Sequence, residues 1–246
     1  MTTLFSLPTR RHTETAVNIE CSGKRSVMIR MTFTHLTRST LSAAQLNELL
    51  AVRKRVFADR LNWEVSVHGD LECDEYDHPA TGYLLGYCLG RLVAGLRLLE
   101  TTGPYMLEGP FRSFFQRPAP KAWGLLESSR FFVDKTALAE LGLSRLPLTS
   151  MLLAALHRHV QGLGREAVVT VVSRAMTRIV WRAGWHYQVL EIGLAGPGEP
   201  VWLLDMPVTP ANLEQLEQTI EQGCAGLAID IRWPTPAMQM TQLMTA

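Results

Sequence analysis

The chain contains 246 residues, of which 47% are hydrophobic and 19% are charged, so it is long enough to bury a core without disulfide staples. This composition excludes a disordered chain and a disulfide-stabilised miniprotein. The longest apolar runs fall far short of a bilayer span, and we expect no stable membrane association. The formal net charge of +1 argues against a protein whose main partner is nucleic acid.

The two ends of the chain are predicted to lie outside the fold. Residues 1–30 show no helical or strand periodicity, and Met28 and Met31 are both possible start positions. These residues are therefore predicted to be a disordered extension or an overlong gene start. A single domain is expected over residues 31–235, followed by a flexible tail over residues 236–246.

The cysteines and the N-terminal residues predict a cytoplasmic protein. The chain has four cysteines without a CxxC pair or a histidine at zinc-ligand spacing, namely Cys21, Cys73, Cys88 and Cys224. We interpret them as reduced thiols, and we expect no metal site. The N-terminal residues lack the apolar stretch of a secretory signal.

The first predicted helix carries a charge on its apolar side. Ser42 fits a capping box that opens a helix running to about Arg60. Its apolar stripe contains Leu46, Leu50, Arg53 and Phe57. Arg53 therefore either extends to the rim of a core or lines a pocket that needs a fixed cation.

An acidic loop and a β-hairpin follow Trp63. Residues 67–79 form a polar stretch that contains Asp70, Glu72, Asp74, Glu75 and Asp77. Such a run is typical of a solvated loop. A hairpin is predicted with strands over 83–89 and 92–99 and a turn near Gly90. Arg97 lies inside the second strand, and a buried arginine needs a carboxylate partner.

The remaining elements alternate between strands and helices. A short helix is predicted at 111–115, a strand at 123–133, a helix at 147–161, a strand at 167–173 and a basic helix at 174–182. Two strands at 185–192 and 201–206 then precede a helix that Thr209 opens, with Pro210 at its first position. No repeat or linker divides these elements. We therefore predict one α/β/α domain, in which helices flank both faces of a mixed sheet.

Charged residues also fall in a strand that is predicted to be buried. Glu127 and Arg130 are three residues apart, so a β-bulge is needed if both are to reach one site. Spacing alone favours a structural ion-pair network over catalysis. His157 and His159 cannot share a helix face to hold a metal, and we interpret both as surface positions. The chain contains no GxSxG, GxGxxG or Walker motif.

Together, these residues resemble the motif set of the LuxI-type acyl-homoserine-lactone synthases, the autoinducer synthase family. The matching positions are Arg53, Phe57, Trp63, Asp74, Asp77, Arg97, Phe111, Glu127 and Arg130. Their order, residue types and spacing all match. The resemblance extends from about residue 31 to beyond Met206.

The resemblance implies a fold similar to that of the GCN5-related N-acetyltransferases, with a cleft where two strands splay. It implies S-adenosylmethionine and an acyl thioester on acyl carrier protein as substrates, and no cofactor. The amine of S-adenosylmethionine would attack the thioester carbonyl. Its carboxylate would then displace the sulfonium, which closes the lactone and releases methylthioadenosine. The product would be a quorum-sensing signal.

The resemblance also implies roles for the site residues. Glu127 is the candidate base for the amine, and Arg130 is the second candidate catalytic residue. The S-adenosylmethionine pocket would include Arg53, Phe57, Trp63 and Phe111. The charged network would consist of Asp74, Asp77, Arg97 and Arg130.

Plainer interpretations of the same residues remain open. Phe57 and Phe111 fit core packing, and Trp63 fits a plug at a helix end. Glu127 fits a structural partner of Arg97 or Arg130.

Thr170 lies where this family commonly has threonine when the acyl chain carries a 3-oxo group. By alternation it shares a strand face with Val168 and Val172, which suits an apolar tunnel with one hydroxyl. We therefore predict a 3-oxoacyl product of short to medium chain length. The alternative is an ordinary β-branched strand residue.

The basic helix predicts a docking face. Arg174, Arg178 and Arg182 recur every four residues and form one stripe, which would attract the acidic acyl carrier protein. The alternative is a solvated helix surface.

Two other functions stay open. An acyl-CoA-dependent N-acyltransferase is disfavoured because residues 134–147 contain only Gly142, where that family has a Gly-rich loop. A non-catalytic module that binds acyl carrier protein is disfavoured because every charged motif position is filled.

Overall fold

The structure is a computed structural model that describes residues 18–21 and 24–235, with side chains from residue 28 onward. Residues 1–17, 22–23 and 236–246 lie outside the described residues, so the predicted extension and tail stay predictions. Within the predicted extension, the backbones of β1 (Asn18–Cys21) and β2 (Lys24–Val27) pair in an antiparallel hairpin. The sequence did not predict these strands.

Eight strands form the central sheet, in the order β10-β11-β9-β8-β7-β6-β3-β12. They are β3 (Ile29–Thr37), β6 (Gly82–Cys88), β7 (Arg91–Glu100), β8 (Leu125–Val133), β9 (Ala167–Ser173), β10 (Gln188–Gly196), β11 (Glu199–Pro207) and β12 (Ile229–Arg232). Two neighbouring pairs are parallel, β8 with β9 and β12 with β3, and the others are antiparallel. The predicted mixed sheet is confirmed. A small hairpin of β4 (Val67–His68) and β5 (Leu71–Glu72) lies in the predicted acidic loop.

Helices cover both faces of the sheet, as predicted. The helix α1 (Ala43–Lys54) packs on the face that bears Leu85 and Phe132. The opposite face, which bears Leu84 and Leu126, belongs to the larger core. That core is completed by α2 (Lys135–Glu140), α3 (Leu148–Gly162), α4 (Arg174–Ala183) and α5 (Pro210–Gly223). None of the helices in the described ranges is long and apolar enough to cross a membrane.

The first predicted helix consists of two parts. Ser42 and Gln45 form the predicted capping box, and the α-helix ends at Lys54. A π-helical segment continues over Arg55–Arg60, and this wider turn ends with Trp63 N donating to Phe57 O at 2.9 Å. The chain therefore folds back on the helix, which brings Trp63 against Phe57.

A cleft and a bulge interrupt the centre of the sheet. β8 and β9 pair only from Leu125–Ala167 to Glu127–Val169, and then the strands separate. In the ladder of β8 with β7, Gly95 pairs with Phe132 but Arg97 pairs with Ser129, so β8 holds one extra residue there. Arg130 has a φ of 53°, which lies in the left-handed region. The strand therefore has a bulge as predicted, but it lies at Arg130 and Phe131, after Ser129, rather than between Glu127 and Arg130.

The interpretation of His157 and His159 as surface positions is wrong. Both side chains are buried because α3 is covered by the sheet on one side and by α5 on another. The Nε2 atom of His157 lies 2.9 Å from Thr209 O, and the His159 ring stacks on His35 with centroids 4.1 Å apart.

Candidate functional site

Three arginines and three carboxylates form a buried charged network on the α1 face of the sheet. Its members are Arg53 from α1, Arg97 from β7, Arg130 from the β8 bulge, Glu72 from β5, and Asp74 and Asp77 from the following loop. The formal charges of the six groups sum to zero. Because each ion contacts at least one of opposite sign, the desolvation of each is partly offset. The structure thus brings five predicted site residues together.

Asp77 is the most heavily hydrogen-bonded acceptor of this network. Its Oδ1 accepts from Arg53 Nη1 and from the Tyr83 hydroxyl, both at 2.7 Å, and Arg97 Nη1 lies 3.2 Å away. Its Oδ2 accepts from Arg53 Nη2 and from Asp74 N, both at 3.0 Å. Burial opposes ionisation, but the Arg53 guanidinium and the other donors hold the pKa of Asp77 well below its usual range. Asp77 is therefore a fixed anion, unsuited to proton transfer near neutral pH.

Glu72 is a network member that sequence reasoning missed. Its Oε2 accepts from Arg53 Nε at 2.5 Å, and its Oε1 accepts from Arg130 Nε at 3.1 Å. The β4–β5 hairpin turns this residue inward, and its side chain is fully buried. Charge balance gave no signal for this residue, because the motif set already paired three arginines with Asp74, Asp77 and Glu127.

Nearly every guanidinium nitrogen of the three arginines has a hydrogen-bond partner. Arg97 binds both carboxylate oxygens of Asp74, at 2.5 and 3.1 Å, and donates to Ser129 Oγ at 3.1 Å. Arg130 Nη2 donates to Asp74 Oδ2 at 2.8 Å. Among the described residues, Nη1 of Arg130 has no hydrogen-bond partner, whereas each guanidinium nitrogen of Arg53 and Arg97 has one. Arg130 Nη1 is therefore the one guanidinium nitrogen of this network without a partner within the described residues.

Glu127 lies beside the network and contacts neither Arg97 nor Arg130 directly. Its Oε2 accepts from Met106 N at 2.9 Å, and its Oε1 accepts from Leu107 N at 2.8 Å. Burial raises the pKa of Glu127 to about 7, against the lowering effect of the two amides and of the nearby arginines. Such a carboxylate can exchange a proton near neutral pH.

Aromatic residues form the edge of this site. The Phe57 and Trp63 rings stack with centroids 5.2 Å apart, and the Arg130 guanidinium lies 5.8 Å from the Phe57 centroid. Phe57 is buried, while Trp63 is 52% exposed. Phe111 stacks on Phe114 in a separate cluster under the loop that precedes β8. Trp63 therefore presents an open aromatic face next to buried charges.

Thr170 lies on the other side of the sheet. Glu127 pairs with Val169, so alternation directs the Thr170 side chain to the face opposite Glu127. Its hydroxyl donates to Ser128 O at 2.9 Å, at the point where β8 and β9 separate. The Glu127 and Thr170 side chains thus lie on opposite faces of the sheet, beside the cleft between β8 and β9.

The arginine stripe of α4 lies on the surface, apart from the charged network. Arg174, Arg178 and Arg182 are exposed, and none of them has a salt bridge within the described ranges. Trp181 on the same helix is 51% exposed. The stripe is an unpaired cationic surface. Elsewhere, the part of the chain that the structure describes has no cluster of three or more His, Cys, Asp or Glu side chains that could hold a metal.

Comparison with known proteins places this chain in a family. The family model described as autoinducer synthase matches residues 37–216. The acyl-homoserine-lactone synthase of Pseudomonas amygdali pv. tabaci is 48% identical over 196 residues, which cover 80% of this chain and 87% of that protein.

Solved structures agree with this family. The crystal structure of TofI in a ternary complex with an inhibitor and MTA is 26% identical, covers 76% of this chain and 96% of that chain, and has a TM-score of 0.64. The CoA-dependent acyl-homoserine lactone synthase MesI shares the fold, at 23% identity and a TM-score of 0.65, over 82% of this chain and 98% of that chain. The predicted GCN5-related fold class is confirmed. The chain therefore belongs to the autoinducer synthase family and is an acyl-homoserine-lactone synthase, a transferase that makes a quorum-sensing signal.

Proposed function

We propose that the enzyme transfers an acyl group from acyl carrier protein to the amine of S-adenosylmethionine and then closes the lactone ring. The observation that carries this proposal is Glu127, a buried carboxylate with a pKa of about 7 at the point where β8 and β9 separate. Both substrates and the reaction would be cytoplasmic.

The aromatic edge and Arg130 suit S-adenosylmethionine. The exposed face of Trp63, stacked on Phe57, offers a site for a sulfonium cation. The available Nη1 of Arg130 can donate to the substrate carboxylate. Arg53, Asp74, Asp77 and Arg97 hold Arg130 and its surroundings in place. Methylthioadenosine, which is the MTA of the TofI complex, is the product that this binding mode would release.

Glu127 suits the acylation step. A free α-amino group has a pKa of about 7.7 to 8.0, so a base of pKa about 7 can take its proton as the nitrogen attacks the thioester carbonyl. The carbon–sulfur bond of the thioester then breaks, and the thiol leaves with a proton. Each Glu127 oxygen uses one lone pair on an amide and keeps another for this transfer.

The second step needs mainly orientation. The substrate carboxylate attacks the γ-carbon, the bond from that carbon to sulfur breaks, and neutral methylthioadenosine leaves. Because the reaction is intramolecular with a good leaving group, a site that holds the chain bent supplies most of the acceleration.

The α4 stripe supports acyl carrier protein over CoA as the acyl donor. Its three unpaired arginines suit an acidic protein surface. The second argument is the segment before α3, where acyl-CoA-dependent N-acyltransferases have a Gly-rich loop for the pyrophosphate. In this chain residues 134–147 contain no such loop. They contain the helix α2 instead, and Pro147 caps α3 without a side-chain hydrogen bond.

Thr170 supports a 3-oxoacyl chain of short to medium length. An acyl chain entering between β8 and β9 from the Glu127 side would reach the Thr170 hydroxyl behind the cleft. In the structure that hydroxyl donates to Ser128 O. To bind a 3-oxo group, it would have to donate to the ketone oxygen instead. The proposal accordingly predicts higher turnover with 3-oxoacyl donors in the native enzyme than in a Thr170→Val variant.

The test is an assay with S-adenosylmethionine and matched panels of acyl donors, on carrier protein and on CoA. We expect lactone and methylthioadenosine in equal amounts, with the largest kcat/KM for a 3-oxoacyl carrier protein. Turnover of CoA thioesters alone would overturn the choice of donor. Absence of lactone with every donor would favour a non-catalytic carrier-binding module.

A further inference from the structure

The loop between β7 and β8 covers the Glu127 side of the site. It is closed at its base by Thr101 Oγ1, which donates to Ala122 O at 2.8 Å, and by Tyr105 Oη, which donates to Pro120 O at 2.5 Å. Met106 and Leu107, in the middle of the loop, are 4% and 2% exposed. These two residues belong to the interior of the protein, although no motif includes them.

The amides of Met106 and Leu107 contact both oxygens of one carboxylate. Two consecutive N–H groups donate to Glu127, at 2.9 and 2.8 Å. An ionised carboxylate accepts at both oxygens, whereas a protonated carboxyl or a glutamine amide carries donor hydrogens on one side. In the neutral carboxyl, the oxygen that carries the proton is a weaker acceptor, so one of the two amide hydrogen bonds is weakened, whereas in a glutamine one backbone N–H faces an NH2 donor. Loss of a buried hydrogen bond of this kind is costly.

Met106 also connects three groups of the site. Its Sδ lies 2.8 Å from Arg97 Nη2, and its carbonyl accepts from Phe111 N at 3.0 Å. Glu127 and Arg97 do not contact each other, so this residue links the candidate base to the charged network and to Phe111.

We propose that Met106 and Leu107 are positioning residues for the reaction, whose amides orient the Glu127 carboxylate and hold the loop over the site more strongly when that carboxylate is charged. This inference rests on the proposed function for the role of Glu127 in turnover. Its structural part, the response of the loop to charge at Glu127, is measurable without any substrate.

The groups that face Glu127 keep their charge across the neutral range. Arg97 from β7 and Arg130 from β8 remain cationic. Burial and nearby carboxylates raise the pKa of Tyr105 to about 12 and also raise that of Tyr76. Burial places the pKa of Glu127 itself at about 7, so it is charged and held by the amides above this pH and is neutral below it. A single titration is therefore expected at this carboxylate.

The usual isosteric variant does not separate the possible roles of Glu127. Glu127→Gln removes a base, but it also places an NH2 donor opposite a backbone N–H. Both effects would abolish turnover. A readout at the amide itself is needed.

The test is a ¹⁵N spectrum of the full-length enzyme labelled only at its ten methionines, recorded from pH 5.5 to 8.5 without substrate. Met106→Leu identifies the Met106 amide by removing its signal. We expect this amide to move downfield as the pH rises, with a midpoint near 7, while Met31 and Met151 in the core stay constant. In Glu127→Gln the Met106 signal should lose its pH dependence.

Two outcomes would overturn the inference. One is a Met106 amide that does not move with pH in the native enzyme. The other is a movement that persists in a folded Glu127→Gln variant. If that variant fails to fold, the native titration still decides. A titrating amide in an enzyme that makes no lactone would support the structural part of the inference and refute the proposed function, together with the role in turnover. A Met106 amide signal that does not change with pH, in an enzyme that makes lactone, would refute the inference and support the proposed function.

Discussion

Two sets of three arginines differ in what surrounds them. Arg53, Arg97 and Arg130 lie under α1, where carboxylates accept hydrogen bonds from each guanidinium. The three arginines of α4 are exposed and lack salt bridges among the described residues. The same side chain thus serves two purposes. Buried and paired, it fixes geometry, whereas exposed and unpaired, it remains free for a partner.

This difference predicts opposite responses to mutation. A buried ion that loses its partner is left with its full desolvation cost, whereas an exposed ion is solvated by water. Stability measurements should therefore detect changes in the buried set, and binding measurements should detect changes in the exposed set.

The largest expected effect is that of Arg53→Met. This change leaves Asp77 and Glu72 without their main partner, so the free energy of unfolding should fall by about 3–5 kcal/mol. Guanidinium chloride unfolding at pH 7.5 measures it. Arg178→Met is the matched control and should stay within about 0.5 kcal/mol of the native protein. Equal losses of unfolding free energy for Arg53→Met and Arg178→Met would contradict the distinction between the buried and the exposed arginines.

A smaller effect is expected for Tyr83→Phe. The Tyr83 hydroxyl donates to the ionised Asp77 at 2.7 Å, and loss of a buried hydrogen bond to a charged group should destabilise by about 1.5–3 kcal/mol. Tyr187→Phe, which loses a bond to the neutral Thr177 O, should cost about 1 kcal/mol or less. The same unfolding titration compares them. A smaller loss for Tyr83→Phe than for Tyr187→Phe would show that Asp77 does not need this donor.

A third expected effect is a pH dependence of stability from His159, which is buried without a charged partner in the described ranges. Burial lowers the pKa of His159 to about 3, so the folded protein keeps this ring neutral while the unfolded chain takes up a proton near pH 6.5. Above pH 6.5 His159 is neutral in both states and does not lower the free energy of unfolding. As the pH falls from 6.5 toward 3, protonation of the unfolded chain lowers the free energy of unfolding by about 1.4 kcal/mol per pH unit.

Unfolding at pH 7.5 and pH 5.5 tests this expectation. His159→Phe keeps a ring against His35 but removes the titration, so the difference between the two pH values should shrink by about 1.4 kcal/mol. An unchanged difference would show that His159 is protonated in the folded state.

The smallest effect on stability is expected for the double variant Arg174→Glu, Arg178→Glu. Because both side chains are exposed and unpaired, the free energy of unfolding should change by less than about 0.5 kcal/mol. A loss of several kcal/mol would mean that the stripe is part of the fold. Arg91→Glu, Arg232→Glu makes the same change of charge at two arginines that do have salt bridges, to Glu140 and Asp230, and so contrasts paired with unpaired surface arginines.

The sequence predicted this contrast in part. The capping box at Ser42 and the hairpin around Gly90 followed from local chemistry, and the structure shows both. The β8 bulge followed from the need to bring Glu127 and Arg130 to one site, and the structure has it at Arg130 and Phe131. Glu72 was missed because its inward orientation depends on the β4–β5 hairpin, whose strands have only two residues each. Strands this short leave no periodic pattern.

Long-range contacts account for the other differences. The roles of Met106 and Leu107 lie in their backbone amides, which no residue pattern reports. His157 and His159 are both buried because α3 is enclosed on several sides, so the usual rule of one buried helix face does not apply. The strand β12 pairs in parallel with β3, and its four residues are recognisable only once that partner is in place.

The most direct test of the central claim is a crossed set of steady-state kinetics, in which KM is measured for both substrates in two variants. Trp63→Ala changes the edge of the charged network, and Arg174→Glu, Arg178→Glu changes the exposed stripe. We predict that the first raises KM for S-adenosylmethionine alone and the second raises KM for acyl carrier protein alone, most strongly at low salt. Equal increases for both substrates in both variants would contradict the assignment of one substrate to each region.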